Sequence, residues 1–166
     1  MRKATAAAGS AAFLVLAPGV VAGVVPWWLT RWRAATPVPG GWPVRAVGGL
    51  LVAAGAAVLL HAFARFVVEG GGTPAPVAPT ERLVIGGLYR HVRNPMYLAV
   101  VAAIVGQALA LGRAVLLAYA AAVWAAMAAF VRVYEEPTLS RRHGAAYEAY
   151  RRAVPAWIPR RTPWHG

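Results

Sequence analysis

The chain has 166 residues, 60% of them hydrophobic and 13% charged, with 17 Lys and Arg against 5 acidic residues and a formal charge of +12. Counted with Gly and without Tyr, the apolar share is roughly two thirds against about 45 to 50% in soluble domains, which argues against a water-soluble fold. Cys and Asp are both absent, so disulfides, thiolate nucleophiles and Cys-ligated metals are excluded.

The first apolar segment, Ser10 to Leu29, is about 20 uncharged residues, roughly 30 Å as a helix. Arg2 and Lys3 ahead of it give it the look of a signal peptide. Its full bilayer length and its end at Trp27 and Trp28, typical interfacial anchors, favour an uncleaved span. Pro18 inside it predicts a kink. A Pro/Gly-rich loop, Arg31 to Pro43, leads to a second segment, Val44 to Val68, which carries Arg45, His61 and Arg65. After a Gly/Pro-rich stretch, Gly70 to Pro79, come Pro95 to Leu111 and Ala114 to Val131, separated only by Gly112 and Arg113 and so predicted to form a tight antiparallel hairpin. A polar tail runs from Glu135 to Gly166.

The expected fold is an all-α integral membrane protein, with about four transmembrane helices, a C-terminal helical hairpin and a cytoplasmic helical tail. Within one membrane domain, 1–166, residues 1–69 hold two N-terminal spans, 70–94 a cytoplasmic loop, 95–134 the hairpin and 135–166 the tail. An even span count puts both termini on one side together with most of the Arg residues, and the excess of cations makes that side the cytoplasm. The basic surplus then serves orientation and anionic lipid headgroups, not nucleic acid.

All five acidic residues, Glu69, Glu81, Glu135, Glu136 and Glu148, fall on the cytoplasmic side in this topology. Two stretches border that face: GGLYRHVRNPMYL, Gly86 to Leu98, and RVYEEPTL, Arg132 to Leu139. An antiparallel hairpin brings its outer ends together, so the two are expected to meet. The first combines a glycine pair that lets backbone approach a ligand, cationic and aromatic side chains, and Pro95 at a helix start whose free N–H groups can face an anion. The plainer reading makes Arg90, His91 and Arg93 lipid-side anchors, Asn94 a helix cap and Tyr97 a belt aromatic. Glu135 and Glu136 stand at the end of a span, where adjacent carboxylates repel and face the negative end of a helix dipole. Either Arg132, Arg141 or Arg142 neutralises them, or they cap a tail helix starting at Pro137, or they hold a cationic ligand group. His61, Arg65 and Glu69 form one stripe on the second span, and ionisable groups in a membrane helix usually face a cavity. Gln107 and Trp124 read as packing residues. No metal-ligand spacing, nucleophile elbow or P-loop is present.

In order, GLYRHVRNPMY, YEEP and GAAYEAYRRAVPAWIP resemble the membrane methyltransferase superfamily of isoprenylcysteine carboxyl methyltransferases and phosphatidylethanolamine N-methyltransferases, over roughly Gly86 to Pro159. NPMY and YEEP look more like the phospholipid N-methyltransferases, the Tyr/Pro tail more like the isoprenylcysteine branch. The resemblance implies S-adenosylmethionine bound by the C-terminal half at the cytoplasmic face. Gly87, Tyr89, Arg90, His91, Arg93, Asn94, Pro95 and Tyr97 would border the cofactor, and Glu135 or Glu136 would accept from its amino group. The acceptor implied is a lipid or prenylated molecule, with His61, Arg65 and Glu136 the candidates for catalysis. Three positions depart from the pattern: Asn94 replaces a frequent His, Ala99 a Gly and His143 a Phe. The competing readings are a membrane reductase of the sterol-reductase type using NADPH, whose C-terminal half looks similar, and a non-catalytic protein that keeps the fold.

Overall fold

The structure, a computed structural model, describes residues 16–37, 39–65, 68 and 83–165. The basic start at Arg2 and Lys3, the stretch Gly70 to Pro79, and Glu69 and Glu81 lie outside the described residues. The described residues are helical without a strand: α1 (Leu16–Thr30), α2 (Gly41–Arg65), a 3-10 turn (Gly87–Arg90), α3 (Pro95–Leu111), α4 (Ala114–Phe130), a π turn (Val131–Glu135) and α5 (Glu136–Ala153). Two stretches are long and apolar enough to cross a membrane, α2 and the helical stretch Ala114–Ala153, which kinks at Gly144, while α1 and α3 are shorter apolar helices. Mean hydropathy reaches 2.1 in α2, yet only 22% of that window is buried within the protein. So apolar a surface needs an apolar solvent, which is how a lipid-facing helix differs from the core helix of a soluble protein.

The chain divides into two compact units. One comprises Leu14–Leu60 and Met96–Ala125. Its contacts rest on missing side chains. A Cβ on Gly48 would stand 2.5 Å from Ala110 N and Gly106 O, one on Gly55 2.7 Å from Ala99 O, and one on Gly106 2.6 Å from Gly48 O. Backbone therefore touches backbone along α2 and α3, the close approach that small residues permit between membrane helices. The connection between α3 and α4 is tight: Gly112 takes φ +64, which an L residue resists, and Arg113 N–H returns to Ala108 O at 3.0 Å.

In α1 the irregularity expected at Pro18 takes the form of a π turn, Val20–Val24, lying between Pro18 and Pro26. Pro26 has no N–H, so the carbonyls that a π or an α register would pair with it, those of Val21 and Ala22, lose their helical donor. Tyr119 OH donates to Val21 O at 2.9 Å and Gln107 Nε2 to Ala22 O at 2.7 Å. Gln107 Oε1 also accepts from Trp32 Nε1 at 3.1 Å. Gln107 is thus a hydrogen-bonding strut for α1, not the plain packing residue expected. Trp27 and Trp28 are exposed, and the Arg31 guanidinium sits 4.4 Å over the Trp27 ring.

The other unit comprises His61–Pro95 and Ala126–Gly166. Its core is Tyr147, Tyr150 and Val154, against which Leu83, Ile85, Leu139, Ala153 and Trp164 pack. One expectation is corrected here: the helix does not end at the Glu pair. It runs on through the π turn into α5, with Pro137 in the first turn of α5. Glu135 and Glu136 therefore face no helix C-terminus, and the dipole argument for a nearby cation does not apply.

Candidate functional site

The site is built from the two motifs and the C-terminal segment. Gly86 is extended and Gly87 takes φ +58, turning the chain into the 3-10 turn that ends at His91. From there the segment 90–94 is tied to the tail: Arg93 N–H donates to Pro155 O at 2.9 Å, Arg160 N–H to His91 O at 2.9 Å and Trp164 N–H to Arg90 O at 3.0 Å. Asn94 Nδ2 donates to Ala156 O at 3.1 Å, so its amide nitrogen fastens the tail. His91 Nδ1 lies 2.9 Å from Arg160 O. A carbonyl only accepts, so Nδ1 carries the hydrogen, and the basic lone pair of the neutral ring belongs to Nε2.

The motifs meet at Arg93 and Glu136, where one guanidinium nitrogen donates to Glu136 Oε1 at 2.7 Å and to Tyr147 OH at 3.2 Å. Both partners are largely enclosed, with side chains 12% and 17% exposed. Glu136 Oε2 meets Arg151 Nε only at 3.8 Å, an ion-pair contact too long for a hydrogen bond. Arg93 Nε is a buried N–H with no partner among the described residues. The cations on Glu136 are thus Arg93 and Arg151. Arg132, Arg141 and Arg142 are exposed, and Arg141 turns to Thr138 Oγ1 at 3.4 Å. Arg93, read as a possible lipid anchor, is an interior ion-pair partner.

Beyond the apolar stretch of the long helix, burial pushes the Tyr150 hydroxyl well above the usual phenol range, so it remains a donor, and it donates to Tyr89 O at 2.7 Å. Burial also raises Tyr147, against the opposing pull of the Arg93 guanidinium. His143 is lowered, by burial first and by Arg142 second, and its Nε2 is buried without a partner among the described residues. A neutral imidazole thus occupies the place where the resembling families carry Phe.

Next to this junction an open cavity of about 500 Å³ is lined by His61 and Arg65 of α2, by Gly86, Gly87, Leu88, Arg90 and His91, and by Pro163 of the tail. A Cβ on Gly87 would lie 2.7 Å from His61 Nε2 and 2.9 Å from Arg65 Nε, so the α2 stripe closes directly on the glycine loop. Of the residues singled out in the sequence, His61, Arg65, Gly87, Tyr89, Arg90, His91, Arg93, Asn94, Pro95, Glu135 and Glu136 fall in this unit, while Tyr97 lies in α3 within the other. Sequence reasoning missed Arg160, Tyr147 and Tyr150 as the groups that hold the loop. The VPAWIP run after a helix rich in Tyr was their only signal.

The described residues thus combine apolar helices long enough to cross a membrane with a junction that joins the glycine-loop motif to Glu136. A family model described as phospholipid methyltransferase matches residues 44–146, more than half of the chain. The chain belongs to the phospholipid methyltransferase family, as its motifs indicated. Searches of curated proteins and of solved structures gave no significant match.

Proposed function

We propose that the chain is an S-adenosylmethionine-dependent membrane methyltransferase acting on a lipid-soluble acceptor, phospholipid-like or prenylated, at the cytoplasmic face. The observation that carries this reading is the Arg93–Glu136 contact at 2.7 Å, which joins the glycine-loop motif to the Glu pair. The residues fit the cofactor. Glu136 Oε2 keeps acceptor capacity, and Arg93 Nε is a buried donor without a partner among the described residues.

When bound, S-adenosylmethionine supplies an electrophilic methyl group on a cationic sulfonium. Glu136, with Glu135 beside it, would accept from the amino group, while Arg93 fixes the orientation of the Glu136 carboxylate. Gly87, Tyr89, Arg90, His91, Asn94 and Pro95 would border the cofactor. A carboxylate or free amine acceptor needs alignment more than acid–base help. An ammonium acceptor needs a proton taken first, and His61 is the candidate base. The same reading keeps four spans, both termini cytoplasmic, and the tail 135–166 completing the cofactor site.

Membranes containing the chain, incubated with methyl-labelled cofactor, should yield a labelled lipid, and the purified chain should bind S-adenosylhomocysteine and not NADPH. Binding of NADPH alone would transfer the chain to the reductase reading, and binding of neither would leave a non-catalytic one. Thr73→Cys in this Cys-free chain should resist a membrane-impermeant thiol reagent added to intact cells; labelling there would reverse the topology.

A further inference from the structure

One end of the unit made by Leu14–Leu60 and Met96–Ala125 carries cations that no acidic residue of that unit neutralises. Arg31 and Arg33 follow α1, Arg45 stands in the second turn of α2 and Arg113 joins α3 to α4, whereas all five acidic residues of the chain belong to the other unit. Two hydrogen bonds hold the loops that bear these cations together: Arg113 Nε donates to Arg33 O and Ala35 N–H to Leu111 O, each at 2.8 Å. The loop after α1 is held in a demanding shape. Arg31 and Trp32 are both left-handed, at φ 51 and 52, a conformation that two successive residues other than glycine keep only where their surroundings impose it. Trp32 N–H donates to Thr30 Oγ1 at 3.1 Å, Trp32 Nε1 to Gln107 Oε1 at 3.1 Å and Arg33 N–H to Thr30 O at 2.9 Å. The Arg31 guanidinium lies over Trp27 and that of Arg113 is anchored through Nε, so both cations are presented in set directions.

Aromatic side chains surround them. Trp28, Trp32 and Trp42 are 65%, 56% and 80% exposed, at the ends of apolar helices, and amphipathic indoles so placed settle at the headgroup layer of a bilayer. What meets a guanidinium at that level is a lipid phosphate, whose oxygens suit its fork of donors. A zwitterionic lipid brings its own ammonium to the same phosphate, whereas a lipid of net negative charge cancels the surplus that four cations leave. We propose that this end of the unit is a docking surface for an anionic phospholipid, with Arg31, Arg33, Arg45 and Arg113 meeting the phosphate and Trp28, Trp32 and Trp42 the glycerol and upper acyl region. The lipid is a resident, neither donor nor acceptor of a methyl group. None of these residues belongs to the proposed methyl-transfer site, and the assignment stands whatever that site does.

The test uses the full chain in neutral detergent micelles doped with phosphatidylglycerol or phosphatidylcholine of identical brominated chains. Quenching of Trp fluorescence reads the binding, since Trp27, Trp28, Trp32 and Trp42 are four of the seven Trp residues of the chain. Phosphatidylglycerol should quench at a mole fraction at least about fivefold lower than phosphatidylcholine does. Arg33→Gln with Arg45→Gln, both exposed, should remove most of that preference, and Arg45→Gln alone, on an exposed part of α2, should lower it in the same direction. Arg141→Gln with Arg142→Gln, exposed and in the other unit, takes away the same charge and should leave the preference in place. Unbrominated phosphatidylglycerol should reverse the quenching, and its deacylated headgroup, glycerophosphoglycerol, should not. Absence of a preference in the wild type, equal loss in the two double variants, or reversal by the headgroup alone overturns the surface as a lipid site.

Discussion

Separating Arg93 from Glu136 is the most informative single perturbation of the site. At 2.7 Å and an effective dielectric of about 20, the gross attraction is about 6 kcal/mol. Most of that is offset by desolvation, since the side chains keep only 12% and 17% exposure. Glu136→Gln keeps an acceptor oxygen but leaves the Arg93 charge enclosed, with Nε already lacking a partner among the described residues. For fully enclosed pairs the loss of one partner costs about 3 to 5 kcal/mol, so partial exposure and the retained acceptor put this variant near 2 to 3 kcal/mol. Arg93→Gln should cost a similar amount, because Tyr147 OH also loses its donor. The double variant leaves no orphan charge and should cost about 2 kcal/mol, far less than the sum. A coupling energy of at least about 2 kcal/mol is therefore expected from a double-mutant cycle. Unfolding in mixed micelles, followed by Trp fluorescence, reads it through Trp164, whose ring centroid lies 5.5 Å from that of Tyr150. Single-variant costs that add to within about 0.5 kcal/mol would refute the pairing.

Three further outcomes are expected from the same unfolding assay. Gly48→Ala should cost at least about 2 kcal/mol, because its Cβ would meet backbone at 2.5 Å, whereas Gly49→Ala, with nothing within 4 Å, should be neutral or better. Gln107→Leu should cost about 1 to 3 kcal/mol by leaving Ala22 O and Trp32 Nε1 unpaired. Gly144→Ala should cost about 1 to 3 kcal/mol although nothing lies within 4 Å of its Cβ, since φ 52 with ψ −129 is nearly restricted to glycine; Asn, which suits the left-handed helical region, should be no better.

The helices were legible because bilayer length and charge spacing leave little choice: α3 and the α3–α4 hairpin begin and end where Pro95, Gly112 and Arg113 put them. The meeting of the two motifs was legible for the same reason, since a hairpin forces it. What escaped was anything set by partners rather than by pattern. Carbonyls orphaned by Pro26 are invisible until Gln107 and Tyr119 are seen to answer them. Glu136 could be read as needing a cation, but the choice of Arg93 over the nearer Arg132 depends on which way a helix turns, and the π turn changes that. The tail looked like a basic anchor because Arg151 and Arg152 dominate its composition. Its hold on the glycine loop runs mainly through main-chain atoms of Pro155, Ala156, Arg160 and Trp164, which side-chain patterns do not announce.

The π turn at Val131–Glu135 makes the aim of Glu136 a matter of helical phase. A π turn takes up one extra residue, so everything after it is turned by about 100° relative to the same sequence in regular α geometry, without breaking the rod. The carboxylate's direction is therefore set by residue count as much as by residue identity. Removing a single exposed residue there, Val133, with relaxation to regular α geometry would therefore keep Glu136 aimed at Arg93, whereas one residue added in α geometry would swing it off, with no catalytic or binding side chain altered. A lineage could retune such a site by one-codon insertions and deletions, a route that substitution scans would never sample.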